Sequence, residues 1–208
     1  DGQVFADKKQ KETMLCDARM CTGRRVFMKK SLLAAVAGLS LAAMMTASVA
    51  AEDVIKIGIF EPQTGENGGG GIQEAQTAEY AKEVRPTVTV GGTEYTIELD
   101  YVDNKSDKTE AVTAAQKLVA DGVVGVIGTY GSGCAIAAGP TFSEAKIPAI
   151  GASCTNPQVT LGCDYYFRVC FLDPFQGSVM AQYAWDEGYK KVAVIDQLGD
   201  DYSAGLAN

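Results

Sequence analysis

The chain has 208 residues, a formal net charge of −8, 47% hydrophobic and 21% charged residues, and no histidine. That balance belongs to a globular chain rather than a disordered one. Residues 1–30 carry eight basic and four acidic side chains, whereas the part from Glu52 onward carries ten basic and twenty-two acidic, so the body of the chain repels phosphates and is excluded as a nucleic-acid binder.

Residues 1–27 show no apolar period and read as an unstructured upstream leader. Met28-Lys29-Lys30, the apolar run Ser31–Met45 and the small residues Thr46–Ala51 follow in the order of an export signal, cut near Ala50 or Ala51. The signal, residues 28–51, predicts a periplasmic or other extracytoplasmic location. A transmembrane anchor is the competing reading, but Ala, Gly, Ser and Thr thin the run and it ends in a cleavage-like stretch. The cut carries no cysteine for a lipid anchor. Arg24-Arg25 also resembles a twin-arginine motif, which would place the start at an earlier methionine.

In the mature region Val54–Phe60 is apolar and β-branched and predicts a buried strand, followed by a glycine-laden loop through Gly71. Ile72–Val84 has helical spacing and is stopped by Pro86. Thr87–Val90 and Glu94–Val102 flank Gly91-Gly92, a hairpin pattern. Asp107-Lys-Thr-Glu110 fits a capping box that opens a helix closed by Gly122. A strand at Val123–Gly128, a helix at Ala135–Ala145, a strand at Ile147–Gly151 and a strand at Tyr165–Cys170 come next. The rhythm repeats with a helix over Gln176–Glu187, a strand over Lys191–Asp196 and a helix begun at Asp201. This alternation predicts an α/β fold, a parallel sheet with helices on both faces. An α/β unit broken off at Asn208 predicts a truncated chain.

Cys134, Cys154, Cys163 and Cys170 lie in the mature region and permit up to two disulfides in three connectivities, among which the sequence does not choose. The lack of histidine and of Cys-x-x-Cys argues against zinc and thioredoxin-like sites, and no cofactor is implied. Gly68–Gly71 lacks the Gly-Lys-Ser/Thr ending of a phosphate loop. Tyr130 stands where a nucleophile elbow needs glycine, and a Ser-His-Asp triad cannot be assembled. A hydrolase acting through such a triad is thereby excluded, and an exported α/β enzyme of another kind ranks last among the readings, behind a protein that binds without catalysis.

Ligands of open α/β sheets bind beyond the carboxyl ends of the strands. Two loops qualify, Thr129–Cys134 and Ala152–Pro157. Ser132, between glycines, suits a carboxylate; Ser153 and Thr155 offer a carbonyl for an ammonium and a hydroxyl for either end of an amino acid. Spacing alone equally accommodates Ser132 and Thr155 as helix N-caps.

From about Asp53 to Asn208 the chain resembles the branched-chain amino acid binding proteins of ABC importers. The matching stretches are Ile57–Gly65, Lys117–Gly128, Ile147–Pro157, Tyr166–Arg168, Asp173–Gly177 and Asp201–Ala207, in order. The resemblance implies a periplasmic-binding-protein fold of two lobes with the second truncated: lobe 1 at residues 52–172, the start of lobe 2 at 173–208. It implies that Ser132 binds the ligand carboxylate, that Thr155 and the Ser153 carbonyl hold carboxylate and amino group, and that Tyr202 closes over the ligand side chain. The acidic residue completing the amino-group site would lie past Asn208.

Two departures stand out. Glycines near Gly70 replace a bulky residue of the first loop, which implies a larger pocket, and Ser106 and Gly131 occupy the positions of a disulfide that braces the carboxylate loop in some relatives. The implied function is capture of an amino acid, branched-chain or otherwise aliphatic, for the membrane permease of an ABC importer. The alternative is a ligand-sensing ectodomain of a receptor or regulator built on the same fold.

Overall fold

The structure, a computed structural model, describes residues 53–208. The leader, the export signal and its cleavage point, together with Cys16 and Cys21, lie outside the described residues.

Strand β1 (Val54–Glu61) runs through the middle of a six-stranded sheet. Helix α1 (Gly68–Val84) follows, then the hairpin β2 (Thr87–Val90) and β3 (Thr93–Asp103), α2 (Lys108–Ala120), β4 (Gly125–Ile127) and α3 (Ser132–Ala145). The chain continues with β5 (Ala149–Gly151), a 3-10 turn (Pro157–Val159), β6 (Tyr166–Arg168), α4 (Asp173–Asp186) and α5 (Asp201–Ala207). The sheet order is β2-β3-β1-β4-β5-β6, parallel throughout except for the antiparallel β2/β3 hairpin. Gly91 and Gly92 supply the positive φ of that turn, 61° and 90°.

Alternation along β1 sends Phe60 to one face and Ile59 to the other. On the Phe60 side, Val126 and Ala149 pack under α2 and α3 through Ala111, Ala114, Ala115, Leu118, Ala135, Ala138 and Phe142. The many alanines bring these helices close, and Gly58 lets Leu118 sit on β1: a Cβ there would be 3.0 Å from Leu118 Cδ2. On the Ile59 side, Ala75 and Ala78 of α1 cover the sheet near Leu99 and Ile127, while Ile150 and Phe167 remain 43% and 51% exposed. Both apolar clusters draw only on residues between Ile59 and Tyr166.

Asp107 caps α2, its carboxylate accepting from the backbone N–H of Thr109 (2.8 Å) and Glu110 (2.9 Å). The reciprocal half of the expected box is not made; Glu110 instead pairs with Lys105 at 3.2 Å. Pro140 lies inside α3 on its exposed side, where water can serve the carbonyl that its missing N–H abandons.

Two expectations need correction. Helix α1 begins at Gly68, four residues before the expected start, so the glycine run is its first turn and not loop. Glycine is a poor helix former, but contact decides here: a Cβ on Gly71 would be 2.1 Å from the Pro62 carbonyl oxygen, and one on Gly70 2.5 Å from the Tyr130 ring. The expected strand Lys191–Asp196 is not formed. Val192 and Ile195 are 70% and 93% exposed, and no described strand lies beside this segment to satisfy its backbone groups.

Removing the Asp107 cap should lower stability without altering the fold. Asp107→Ala is expected to cost about 1 kcal/mol in urea unfolding, with the m-value unchanged.

Candidate functional site

The chain leaves β1 toward β3 on one side and returns to β4 on the other. The topological switch point therefore lies between β1 and β4, and the loops at their carboxyl ends border the crevice where open α/β sheets bind ligands.

The loop after β4 is held from several directions. Gly128 N donates to the Ile150 carbonyl (3.0 Å), and the Gly128 carbonyl accepts from Tyr166 Oη (2.7 Å). Asn104 Nδ2 donates to Thr129 Oγ1 (2.7 Å), and Tyr130 N donates to Glu61 Oε2 (2.7 Å). Gly128 has a φ of 129° and no room for a side chain, since a Cβ would be 2.0 Å from the Phe60 carbonyl oxygen. Gly131, at φ 101°, turns the chain into α3, whose first turn no side chain caps. The N–H groups of that turn are available to an outside acceptor.

The loop after β5 is shaped by Arg168 of β6. Its guanidinium donates to the carbonyl oxygens of Cys154 (3.1 Å), Asn156 (2.7 Å) and Pro157 (3.2 Å) and to Thr160 Oγ1 (2.7 Å). Gly151 admits the Cys154 thiol, which would lie 2.0 Å from a Cβ at that position. Burial pushes Cys154 up to about 12, so it stays a neutral thiol. The four cysteines from Cys134 to Cys170 are unpaired in the structure.

The two loops meet where Asn156 N donates to Ser132 Oγ (3.2 Å). Ser132 and Thr155 are 1% and 6% exposed. Ser153 Oγ and Thr155 Oγ1 are buried and make no hydrogen bond among the described residues, an arrangement that costs free energy unless another group supplies a partner. Neither Ser132 nor Thr155 caps a helix. Gly131 holds the N-cap position of α3, and Asn156 caps the 3-10 turn by accepting from Gln158 N (2.8 Å).

Helix α5 reaches the same region. Asn156 Nδ2 donates to the Asp201 carbonyl (2.6 Å), and the Asp201 carboxylate pairs with Lys108 (2.8 Å). Tyr202, next in the chain, is half-buried and accepts from Gln176 Nε2 of α4 (3.2 Å). Ser132, Ser153, Thr155 and Tyr202 thus belong to three segments joined through Asn156.

Other residues here escaped sequence reasoning. Arg168 and Asn156 organise the loop; both lie in stretches that carry the family resemblance, but neither was assigned a role there. Glu61 is fully buried, and burial together with the Glu74 carboxyl pushes it up to about 10; its signal was a carboxylate directly after the apolar run Ile57–Phe60. The space implied by Gly70 is occupied by the Tyr130 ring. In place of a disulfide between positions 106 and 131 stands Asn67: its N donates to Ser106 Oγ (3.0 Å), and its Nδ2 lies 3.3 Å from where a Gly131 Cβ would be. A cavity of about 840 Å³ lies elsewhere, between α4, α5 and residues 189–195, lined by Trp185, Tyr189, Val192, Ile195 and Leu206.

Arg168→Met keeps the length of the side chain and removes the guanidinium's hydrogen bonds to the Cys154–Thr160 segment. Urea unfolding is expected to show a loss of about 2 kcal/mol, the scale of hydrogen bonds from a charged donor.

The family model described as periplasmic binding protein matches residues 54–208. Leu/Ile/Val-binding protein homolog 1 of Brucella abortus (strain 2308) is 37% identical over 185 residues, covering 87% of this chain and 48% of that protein, so the chain spans about half the length of this curated relative. The crystal structure of a leucine binding protein, LivK, from Thermotoga maritima superposes with a TM-score of 0.70 at 36% identity, covering 74% of this chain and 43% of that one. The branched-chain amino acid transporter substrate binding protein LivJ from Streptococcus pneumoniae, in complex with isoleucine, gives 0.67 at 32% identity, over 74% and 45%. With these likenesses added to the parallel sheet and its joined carboxyl-end loops, the chain belongs to the periplasmic binding protein family.

Proposed function

We propose that the chain is the ligand-capturing part of an extracytoplasmic solute-binding protein. It takes an amino acid, branched-chain or otherwise aliphatic, and presents it to the membrane permease of an ABC importer. The chain acts by binding and not by turnover. Residues 28–51 would direct export, with cleavage near Ala50 or Ala51, and the body would form lobe 1 over residues 52–172 and begin lobe 2 at residue 173.

One observation carries this reading: the Ser132 and Thr155 loops meet at the Asn156 N–H, with the Thr155 hydroxyl buried and unpartnered beside an uncapped helix. Ser132 Oγ accepts from Asn156 and keeps its own hydrogen to donate to a carboxylate. Thr155 Oγ1 gives a second donor, the first-turn N–H groups of α3 add partial positive charge, and the Ser153 carbonyl accepts from the ammonium. Tyr202, carried by α5, covers the aliphatic side chain as the lobes close. The Leu/Ile/Val-binding relative and the isoleucine-bound neighbour support this ligand class.

Isothermal titration of the full chain with L-leucine tests the assignment. Thr155→Ala should weaken binding at least about tenfold, the loss of one hydrogen bond to a charged group. An unchanged Kd sinks it.

A further inference from the structure

Glu61 ends β1 and faces α1, on the side of the sheet opposite Phe60. It is fully buried. Its Oε2 accepts from Tyr130 N, but among the described residues its Oε1 has no partner, and neither does the buried Oε2 of Glu74 on α1. After burial, the Glu74 carboxyl is the strongest influence on Glu61, through its charge and a side-chain hydrogen bond. As two carboxylates they would set two charges face to face with no donor between them. A single proton converts that contact into a charge-assisted O–H···O bond and satisfies both orphaned oxygens.

The surroundings favour this state. From α1 comes only a second carboxyl, Glu74; from the loop after β4 come the Tyr130 N–H and the Thr129 hydroxyl, which favour ionisation less than burial opposes it. From β6 comes the Tyr166 phenol, and from the loop after β5 the Cys154 thiol, both pushed upward by burial and neutral. Cys170, beyond β6, also senses Glu74. Arg168 acts on the two thiols, and its guanidinium is engaged with loop oxygens.

We propose that Glu61 and Glu74 share one proton and act as a positioning pair behind the ligand loop, so that an anionic ligand group is bound by the singly protonated pair. The proposal rests on the amino-acid reading above. Glu61 grips Tyr130 N two residues before Ser132, so loss of the proton places a second negative charge behind the loop that receives the ligand carboxylate. Affinity therefore falls as pH rises through the titration of Glu61, and above it binding takes up a proton. The stability term has the same direction. Glu61 is raised from 4.5 to about 10, so its contribution is complete below the lower value and is lost as pH climbs through the upper one.

Glu61→Gln keeps an acceptor for Tyr130 N and gives Glu74 a permanent donor. The ratio of wild-type to variant Kd for L-leucine, taken between pH 7 and 11, is expected to climb about tenfold. Titration of the leucine ammonium cancels in that ratio. A constant ratio, or a wild type that gains affinity over the variant with rising pH, overturns the proposal. Should Glu61→Gln fail to fold, Glu74→Gln gives the same readout. Carbon-13 NMR of the glutamate carboxyls in the ligand-free full chain separates the two claims. Glu61 should remain protonated above pH 7, and ionisation in the ordinary carboxylate range overturns the pair whatever the ligand. If leucine does not bind at pH 7, the amino-acid reading falls, and the carboxyl titration still decides whether the pair holds its proton.

Discussion

The guanidinium of Arg168 is the contact on which the site depends. One side chain from the short strand β6 gathers three carbonyl oxygens and a hydroxyl of the Cys154–Thr160 segment. The Asn156 carbonyl also accepts from Val159 N and the Pro157 carbonyl from Thr160 and Leu161 N, so the guanidinium ties an already turned segment to β6. With the carbonyls turned toward Arg168, the N–H of Asn156 is free to meet Ser132 Oγ, and the loops of two neighbouring strands become one surface. An arginine suits this role because its planar fork serves several acceptors at once, which a lysine cannot do.

That convergence requires the layers beneath to lie close together. Alanines on α2 and α3, with Gly58 under Leu118 and Gly128 against Phe60, let helices and loops approach the central strand to distances that larger side chains would forbid. The same close fit explains why α1 opens on four glycines despite their poor helix propensity. Pro62 and the Tyr130 ring leave no room for a Cβ at Gly71 or Gly70, and packing overrides local preference. Burial of a side chain such as Leu118 contributes roughly 2 kcal/mol, enough to offset one such glycine.

Buried polarity is concentrated at the carboxyl ends of the strands. Glu61, Asn104, Thr129, Ser132, Thr155, Asn156 and Asp173 are all buried there or beside it, in a protein whose apolar clusters otherwise exclude such groups. Most have partners. Among the described residues the Ser153 and Thr155 hydroxyls, Glu61 Oε1, Glu74 Oε2 and the Asp173 carboxylate do not. A chain that folds around unsatisfied groups in one place stores an unfavourable term that a ligand or a proton can relieve.

Much of the fold was legible in the amino-acid order because it follows from local rules. Apolar β-branched runs marked the strands, Asp107 marked the start of α2, Gly91-Gly92 marked the hairpin, and the strand-helix rhythm implied a parallel sheet with helices on both faces. The loops carrying Ser132 and Thr155 could be named from their place after strands and from a family likeness. Only the tertiary structure decided that these loops meet through Asn156, that Arg168 shapes one of them, that the glycine run is helical, and that Lys191–Asp196 is not a strand. It also decided that a carboxylate at the end of β1 would lie against a second one on α1. Each of these outcomes depends on a partner distant in sequence, and the free energy of a hydrogen bond, a buried charge or a close approach is set by what stands opposite it, which periodicity and spacing do not encode.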